Sequence, residues 1–227
     1  MLKNVKYVLL DVDNTLLDFN AGAEKAALKA FEAFGLDAAK YDHATFRRLN
    51  DALWAALERG EITREQIHKT RWNIIFEALG VEGDGEAFEH EFLAQILTSV
   101  VPVEGAHELL RYLSAKYPLY VASNAPHTQQ INRLKAAGMY GYFTDVFTSE
   151  LFGVAKPSSA FFENALSRIE GARAEECVMI GDSLSADVKG ANAFGMQTVF
   201  FDFKAEHPEV CVADEVVWSL REIKLFL

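Results

Sequence analysis

The chain has 227 residues, half of them apolar, and a formal net charge of −11. That length allows one sizeable core, or one core with a smaller accessory domain. The acidity argues against a nucleic-acid binder with a broad basic surface, but an anionic small-molecule substrate stays possible because a metal ion and one lysine reverse the field locally in a cleft.

No window approaches the ~20 apolar residues of a membrane span, and the N-terminus lacks the long apolar region and cleavage site of a signal peptide. Cys177 and Cys211 lack metal-ligand spacing and read as reduced, buried thiols. A soluble, cytoplasmic protein is expected.

Tyr7-Val8-Leu9-Leu10 is a short apolar run ending in carboxylates, as in a strand buried on both faces. From about residue 18 to 98 no strand pattern appears. Helical periodicity runs over Ala23–Phe34, Ala44–Leu57, Arg64–Leu79 and Glu86–Leu97, punctuated by Gly35, Gly60 and the Gly80–Gly83 turn. Beyond Pro102, helical patterns at Gly105–Lys116, Gln129–Ala137, Ser159–Ile169 and Leu184–Phe194 alternate with apolar runs at Leu119–Ala122, Cys177–Ile180 and Thr198–Phe201. Asp145–Thr148 reads as a further short strand. This alternation predicts an α/β fold: a Rossmann-like parallel sheet with helices on both faces. Its core covers residues 1–17 and 99–227, and residues 18–98 form an inserted helical-bundle cap domain, expected over the end of strand one.

Four strand ends carry chemistry. In Asp11-Val12-Asp13-Asn14-Thr15 the two carboxylates are two residues apart, so an extended chain turns both to one side. Helix capping accounts for one Asp there, not two, and paired carboxylates call for a cation or a shared proton. Ser123-Asn124 follows the second run and offers a hydroxyl and an amide to a phosphate oxygen. In Lys156-Pro157 the ring holds Lys156 extended outside the next helix, where an ammonium bridges carboxylate and phosphate. In Gly181-Asp182-Ser183-Leu184-Ser185-Ala186-Asp187 the glycine permits a tight turn, Asp182 stands ready for a hard cation, and Asp187 reaches back from one helical turn on. Each motif alone is weak or ambiguous. In a parallel sheet all four meet at one edge.

With these residues the sequence resembles the haloacid dehalogenase superfamily, whose phosphatases carry D-x-D-x-T, Ser/Thr, Lys and G-D-x-x-x-x-D in this order. The resemblance spans essentially the whole chain, the helical insert included. A narrower resemblance, through Leu53-Trp54, Gly60-Glu61-Ile62-Thr63, Gly153–Pro157 and Gly181-Asp182-Ser183 with Asp187, is to cytoplasmic pyrimidine 5′-nucleotidases. Here Ala125-Pro126 follows Asn124, where glycine is common in relatives.

The resemblance implies a Mg²⁺-dependent phosphomonoester hydrolase. Asp11 is the nucleophile and Asp13 the proton donor and acceptor. Asp11, the Asp13 carbonyl and Asp182 hold the metal, while Thr15, Ser123, Asn124 and Lys156 hold the phosphoryl group. Asp187 orients Lys156 or a water at the metal. With Asp13 protonated, Asp11, Asp182 and Asp187 balance Mg²⁺ and Lys156. The expected partner is a small phosphate ester, a nucleotide first, met by a monomer or small homo-oligomer.

Candidate substrate contacts are Phe19, Asn20, Trp54, Arg71 and His127. Against them stand cap packing for Phe19 and Trp54, a solvated helix face for Arg71 and a helix-flanking role for His127. His43 and His207 read as structural or surface groups. A sugar-phosphate phosphatase or phosphomutase shares the core chemistry. A 2-haloacid dehalogenase fits less well, since halide departure needs no proton from a second Asp.

Overall fold

Four apolar runs become neighbouring strands in the computed structural model, which describes residues 2–202 and 212–227. Strands β1 (Tyr7–Leu10), β2 (Leu119–Ser123), β3 (Asp145–Thr148), β4 (Cys177–Gly181), β5 (Gln197–Phe201) and β6 (Glu215–Val217) form one parallel sheet, ordered β3-β2-β1-β4-β5-β6. Every residue of β2 and β4 is buried, which is why they read as continuous apolar runs. Register sets Leu9 beside Tyr120 and Met179, and these join Phe147, Phe161 and Phe162 in one cluster. Val8, Leu10, Val121 and Ile180 alternate to the opposite face and are buried too. The edge strand β6 was not expected from sequence.

The chain builds β2 and β3 on one side of β1 and then crosses to β4 on the other. That reversal makes the carboxyl ends of β1, β2 and β4 the place where such sheets take ligands.

The chain divides into two compact units, Met1–Asp18 with Pro102–Leu227, and Phe19–Val101. The expected boundaries, 17/18 and 98/99, differ from these by one and three residues. Within the first unit the chain leaves and returns at one point: Leu17 bridges Pro102, and the Val103 N–H donates to the Leu16 carbonyl at 2.9 Å.

The second unit is helical, with α1 (Phe19–Ala33), α2 (His43–Glu58), α3 (Arg64–Leu79) and α4 (Gly85–Ile96). Small residues at helical spacing on α1, namely Ala23, Ala26, Ala27 and Ala30, are fully buried with Phe31, Phe46, Trp72, Phe76, Phe88 and Phe92. Several aromatic pairs meet edge to face, as in Phe31 and Phe88 at 5.3 Å between centroids and 82° between planes. Phe19 packs against this cluster, the structural role weighed for it. Helix α3 has the bounds read from sequence because both its ends are written chemically: a Thr63–Gln66 capping box and a left-handed Gly80 at φ 62°.

The first unit adds α5 (Ala106–Ser114), α6 (His127–Ala136), α7 (Ser149–Phe152), α8 (Ser159–Ser167) and α9 (Gly190–Phe194). Helices α8 and α9 cover the Leu9 face of the sheet through Phe161, Phe162, Ala165 and Ala191. The helix expected over Leu184–Phe194 is split into a π-helical turn, Leu184–Lys189, and α9. Among the described residues no helix is long and apolar enough to cross a membrane. Cys177 is a free, buried thiol that burial pushes up to about 12, whereas Cys211 and His207 lie outside the described residues.

Candidate active site

Asp11 directly follows β1, and its N–H donates to the Ile180 carbonyl of β4 at 2.9 Å. The carboxylate is therefore fixed at the sheet edge between β2 and β4. Lys156 comes to it from the segment between α7 and α8. Its Nζ donates to Asp11 Oδ1 at 2.8 Å, to Asp187 Oδ1 at 2.6 Å and to the Ala122 carbonyl at 2.6 Å, so all three ammonium hydrogens are used. The Lys156–Pro157 peptide is cis.

Asn124 holds this lysine by its backbone. The Asn124 Oδ1 accepts the Lys156 N–H at 2.9 Å, and Nδ2 donates to the Lys156 carbonyl at 3.0 Å. Its side chain thus serves the lysine segment, while the group expected at phosphate is its main-chain amide.

Asp187 reaches back because the chain after β4 is wound as a π-turn rather than an α-helix. The Asp187 and Val188 N–H groups both donate to the Ser183 carbonyl, and Ser183 Oγ accepts the Ala186 N–H. Asp187 Oδ2 then takes the Ser183 N–H at 3.1 Å while Oδ1 takes Lys156. The carboxylate lies over Gly181, where a side-chain carbon would stand 2.1 Å from Oδ2. A glycine is required there by space, not by dihedral angle. Thr15, fully buried, sets its hydroxyl 3.4 Å from Asp182 Oδ1.

Asp11, Asp182 and Asp187 each offer a carboxylate oxygen, all within 4.8 Å of one another. Burial pushes the Asp11 carboxyl up to about 7; Lys156 pulls against that shift, while Asp187 and Asp13 add to it. Burial, with Asp11 and Asp187 nearby, holds Asp182 well above the usual carboxylate range. Burial works against the charge on Lys156, yet Asp11 and Asp187 outweigh it and keep the ammonium above its ordinary range. One lysine among three clustered carboxylates, two of them buried, leaves a deficit of positive charge. The donors are all oxygens, so a hard divalent cation such as Mg²⁺ fits the set.

The Asp13 carboxylate points elsewhere. Arg133 NH1 donates to Oδ1 at 2.5 Å and Gln130 Nε2 to Oδ2 at 2.9 Å. Both side-chain oxygens of Asp13 are thus engaged on α6, away from the three clustered carboxylates. Gln130 Nε2 also donates to Ser123 Oγ at 2.9 Å, joining two predicted site residues. Neither Gln130 nor Arg133 was singled out from sequence. The available signal was their place beside Leu134 on the stripe of α6 that the structure buries.

Arg71 departs from both expectations held for it, substrate contact and solvated face. It is 2% exposed, donates to Glu89 at 2.6 Å and 3.1 Å and to Asn50 at 3.0 Å, and lies 4.9 Å over the Phe92 ring. Burial resists the Glu89 charge, but Arg71 and His68 more than offset it and hold that carboxyl below its usual range. Asn20 on α1 and Trp54 on α2 are both half-buried. His127 opens α6, with its ring 3.2 Å from Thr148 Oγ1 and its N–H on Glu150. His43 meets the Tyr41 hydroxyl and stacks on Phe46.

A family model of haloacid dehalogenase-like hydrolases matches residues 5–195. The chain belongs to this family. This haloacid dehalogenase-like hydrolase is 33% identical over 198 residues to the pyrimidine 5′-nucleotidase PynA of Streptococcus pneumoniae, across 87% of this chain and 84% of PynA. It is 32% identical over 217 residues to a ribulose-1,5-bisphosphate 5-phosphatase of Halopiger xanaduensis, across 91% and 89% of the two chains. It is also 32% identical over 217 residues to the HAD-hydrolase YfnB of Bacillus subtilis, across 95% and 92%. The magnesium-bound crystal structure of YfnB covers 98% of each chain with a TM-score of 0.90, at 29% identity over the superposed residues.

Proposed function

We propose that this hydrolase is a Mg²⁺-dependent phosphomonoesterase working through an aspartyl-phosphate on Asp11, with nucleoside monophosphates as substrates. The reading is carried by one observation: Asp11 stands against Lys156 and beside Asp182 and Asp187 at the sheet edge, with Asp13 two residues on. The Asp11 carboxylate attacks phosphorus, and the ester P–O bond breaks as Asp13 gives its proton to the departing alkoxide. A water oxygen then attacks the same phosphorus, Asp13 takes the water proton, and the Asp11 carboxylate and inorganic phosphate are released. Lys156 balances charge on the phosphoryl oxygens, and Thr15, Ser123 and the Asn124 amide hold them. Asp11, Asp182 and the Asp13 carbonyl would hold Mg²⁺, which supplies charge neutralisation and orientation of the phosphoryl group.

Nucleotides lead because PynA is a pyrimidine 5′-nucleotidase. The Halopiger relative supports sugar phosphates as the second reading. Asn20 and Trp54 are proposed to influence that choice. Two measurements test the assignment. Asp11→Asn is expected to lower kcat/KM by roughly 10⁴-fold or more, and near-parental activity refutes the nucleophile. In a panel of nucleoside and sugar monophosphates ranked by kcat/KM, leading sugars reject the nucleotidase reading and leave the chemistry standing.

A further inference from the structure

We propose that Gln130 and Arg133 of α6 are positioning residues that aim both the Asp13 carboxylate and the Ser123 hydroxyl hydrogen at the reacting phosphate. The proposal rests on the reading of Asp13 as the proton donor. Arg133 is 2% exposed and Gln130 fully buried, whereas the Asp13 side chain is 26% exposed. A buried guanidinium needs compensating partners, and the open carboxylate of the site is one of those Arg133 has. Arg133 NH1 serves Asp13 Oδ1 and Gln130 Oε1, the latter at 3.1 Å, while Gln130 Nε2 serves Asp13 Oδ2 and Ser123 Oγ.

Two consequences follow atom by atom. Each Asp13 oxygen carries one donor, so the plane of the carboxylate is set by α6 rather than by its own loop. Ser123 Oγ accepts from Gln130 at 2.9 Å and from the Ala125 N–H at 3.1 Å. A hydroxyl has two lone pairs and one hydrogen, so with both lone pairs taken the hydrogen is left to donate. One glutamine therefore ties proton handling to the grip on phosphate. The two hydrogens of Arg133 NH1 tie the glutamine and the carboxylate together.

The test compares an alkyl phosphate, whose alkoxide needs a proton to leave, with p-nitrophenyl phosphate, whose phenolate does not. Variants are Gln130→Met, Arg133→Met, Arg133→Lys, Asp13→Asn and the double variant Arg133→Met/Asp13→Asn, each checked by thermal melting. Arg133→Met and Gln130→Met are expected to lose about tenfold more kcat on the alkyl ester than on the p-nitrophenyl ester, with Arg133→Lys partly restored. In the Asp13→Asn background, Arg133→Met should add less than about threefold. If Arg133→Met does not fold, Gln130→Met, which leaves the guanidinium on Asp13, carries the comparison. Equal losses on both esters, or an undiminished loss in the Asp13→Asn background, overturn the positioning role and leave the acid standing. An Asp13→Asn variant blind to the leaving group instead overturns the acid, and the proposal with it.

Discussion

Gly181→Ala tests whether the site depends on a carbon atom that is not there. An added Cβ would lie 2.1 Å from Asp187 Oδ2, 2.4 Å from Cγ and 2.8 Å from Cβ, all inside contact distance. Asp187 is 1% exposed and held at both oxygens, so it must rotate off Lys156 and off the Ser183 N–H. Lys156 keeps Asp11 and the Ala122 carbonyl but loses one charged partner at 2.6 Å. A hydrogen bond to a charged group contributes about 1.5–3 kcal/mol, so kcat/KM should fall roughly 10- to 150-fold. Overpacking of about 1–3 kcal/mol should also lower Tm, by about 3–10 °C. Steady-state kinetics with saturating Mg²⁺ and a thermal melt measure both. Adding Asp187→Ala should then cost little more, because the same contacts are already gone. A Gly181→Ala variant within about threefold of the parent refutes the idea that this glycine makes room for Asp187.

In the metal-free protein, Asp11 binds its proton up to about pH 7, against 3.8 for the free group. Between those values the native state holds the proton and the unfolded state does not, so stability falls as pH rises. Glu89 and Glu176 are shifted downward from the ordinary glutamate range, so neither adds a titration between pH 5 and 8. Metal-free Tm should therefore decline from pH 5 to 8, and the gain in Tm from Mg²⁺ should be larger at pH 8; a metal-free Tm that rises over this range contradicts the assignment. Arg71→Ala leaves the buried Glu89 charge with His68 beside it and should destabilise the helical unit by about 3–5 kcal/mol in urea. A change below about 1 kcal/mol would place the stabilisation elsewhere. Replacing Arg71 and Glu89 together by Met and Leu should recover most of the loss.

Much of this architecture was written in apolar runs and their punctuation. Tyr7–Leu10, Leu119–Ala122 and Cys177–Ile180 read as strands because burial on both faces removes polar alternation, and the residues after them became the site. β6 was illegible because Glu215-Val216-Val217 has only two apolar residues and takes its identity from pairing with β5. The π-turn was illegible because the periodicity of Leu184–Phe194 is compatible with a plain helix; the fold-back of Asp187 accompanies a different winding. Gln130, Arg133 and Arg71 share a further reason. A long polar side chain at helical spacing looks the same in sequence whether it meets water or a buried carboxylate, and only the partner, 117 residues away for Gln130, tells them apart.

The Leu17–Pro102 bridge gives the helical unit the chain topology of a loop. Its two ends are stitched side by side into the α/β unit, so any segment whose termini lie a few ångströms apart could be spliced there without moving a strand. Loop-closure entropy grows only slowly with length, which makes such an exchange thermodynamically mild. Asp11, Asp13, Lys156, Asp182 and Asp187 all belong to the α/β unit, the first two before the splice and the other three after it. The candidate site's residues therefore share one unit, and an exchange of the insert would replace none of them.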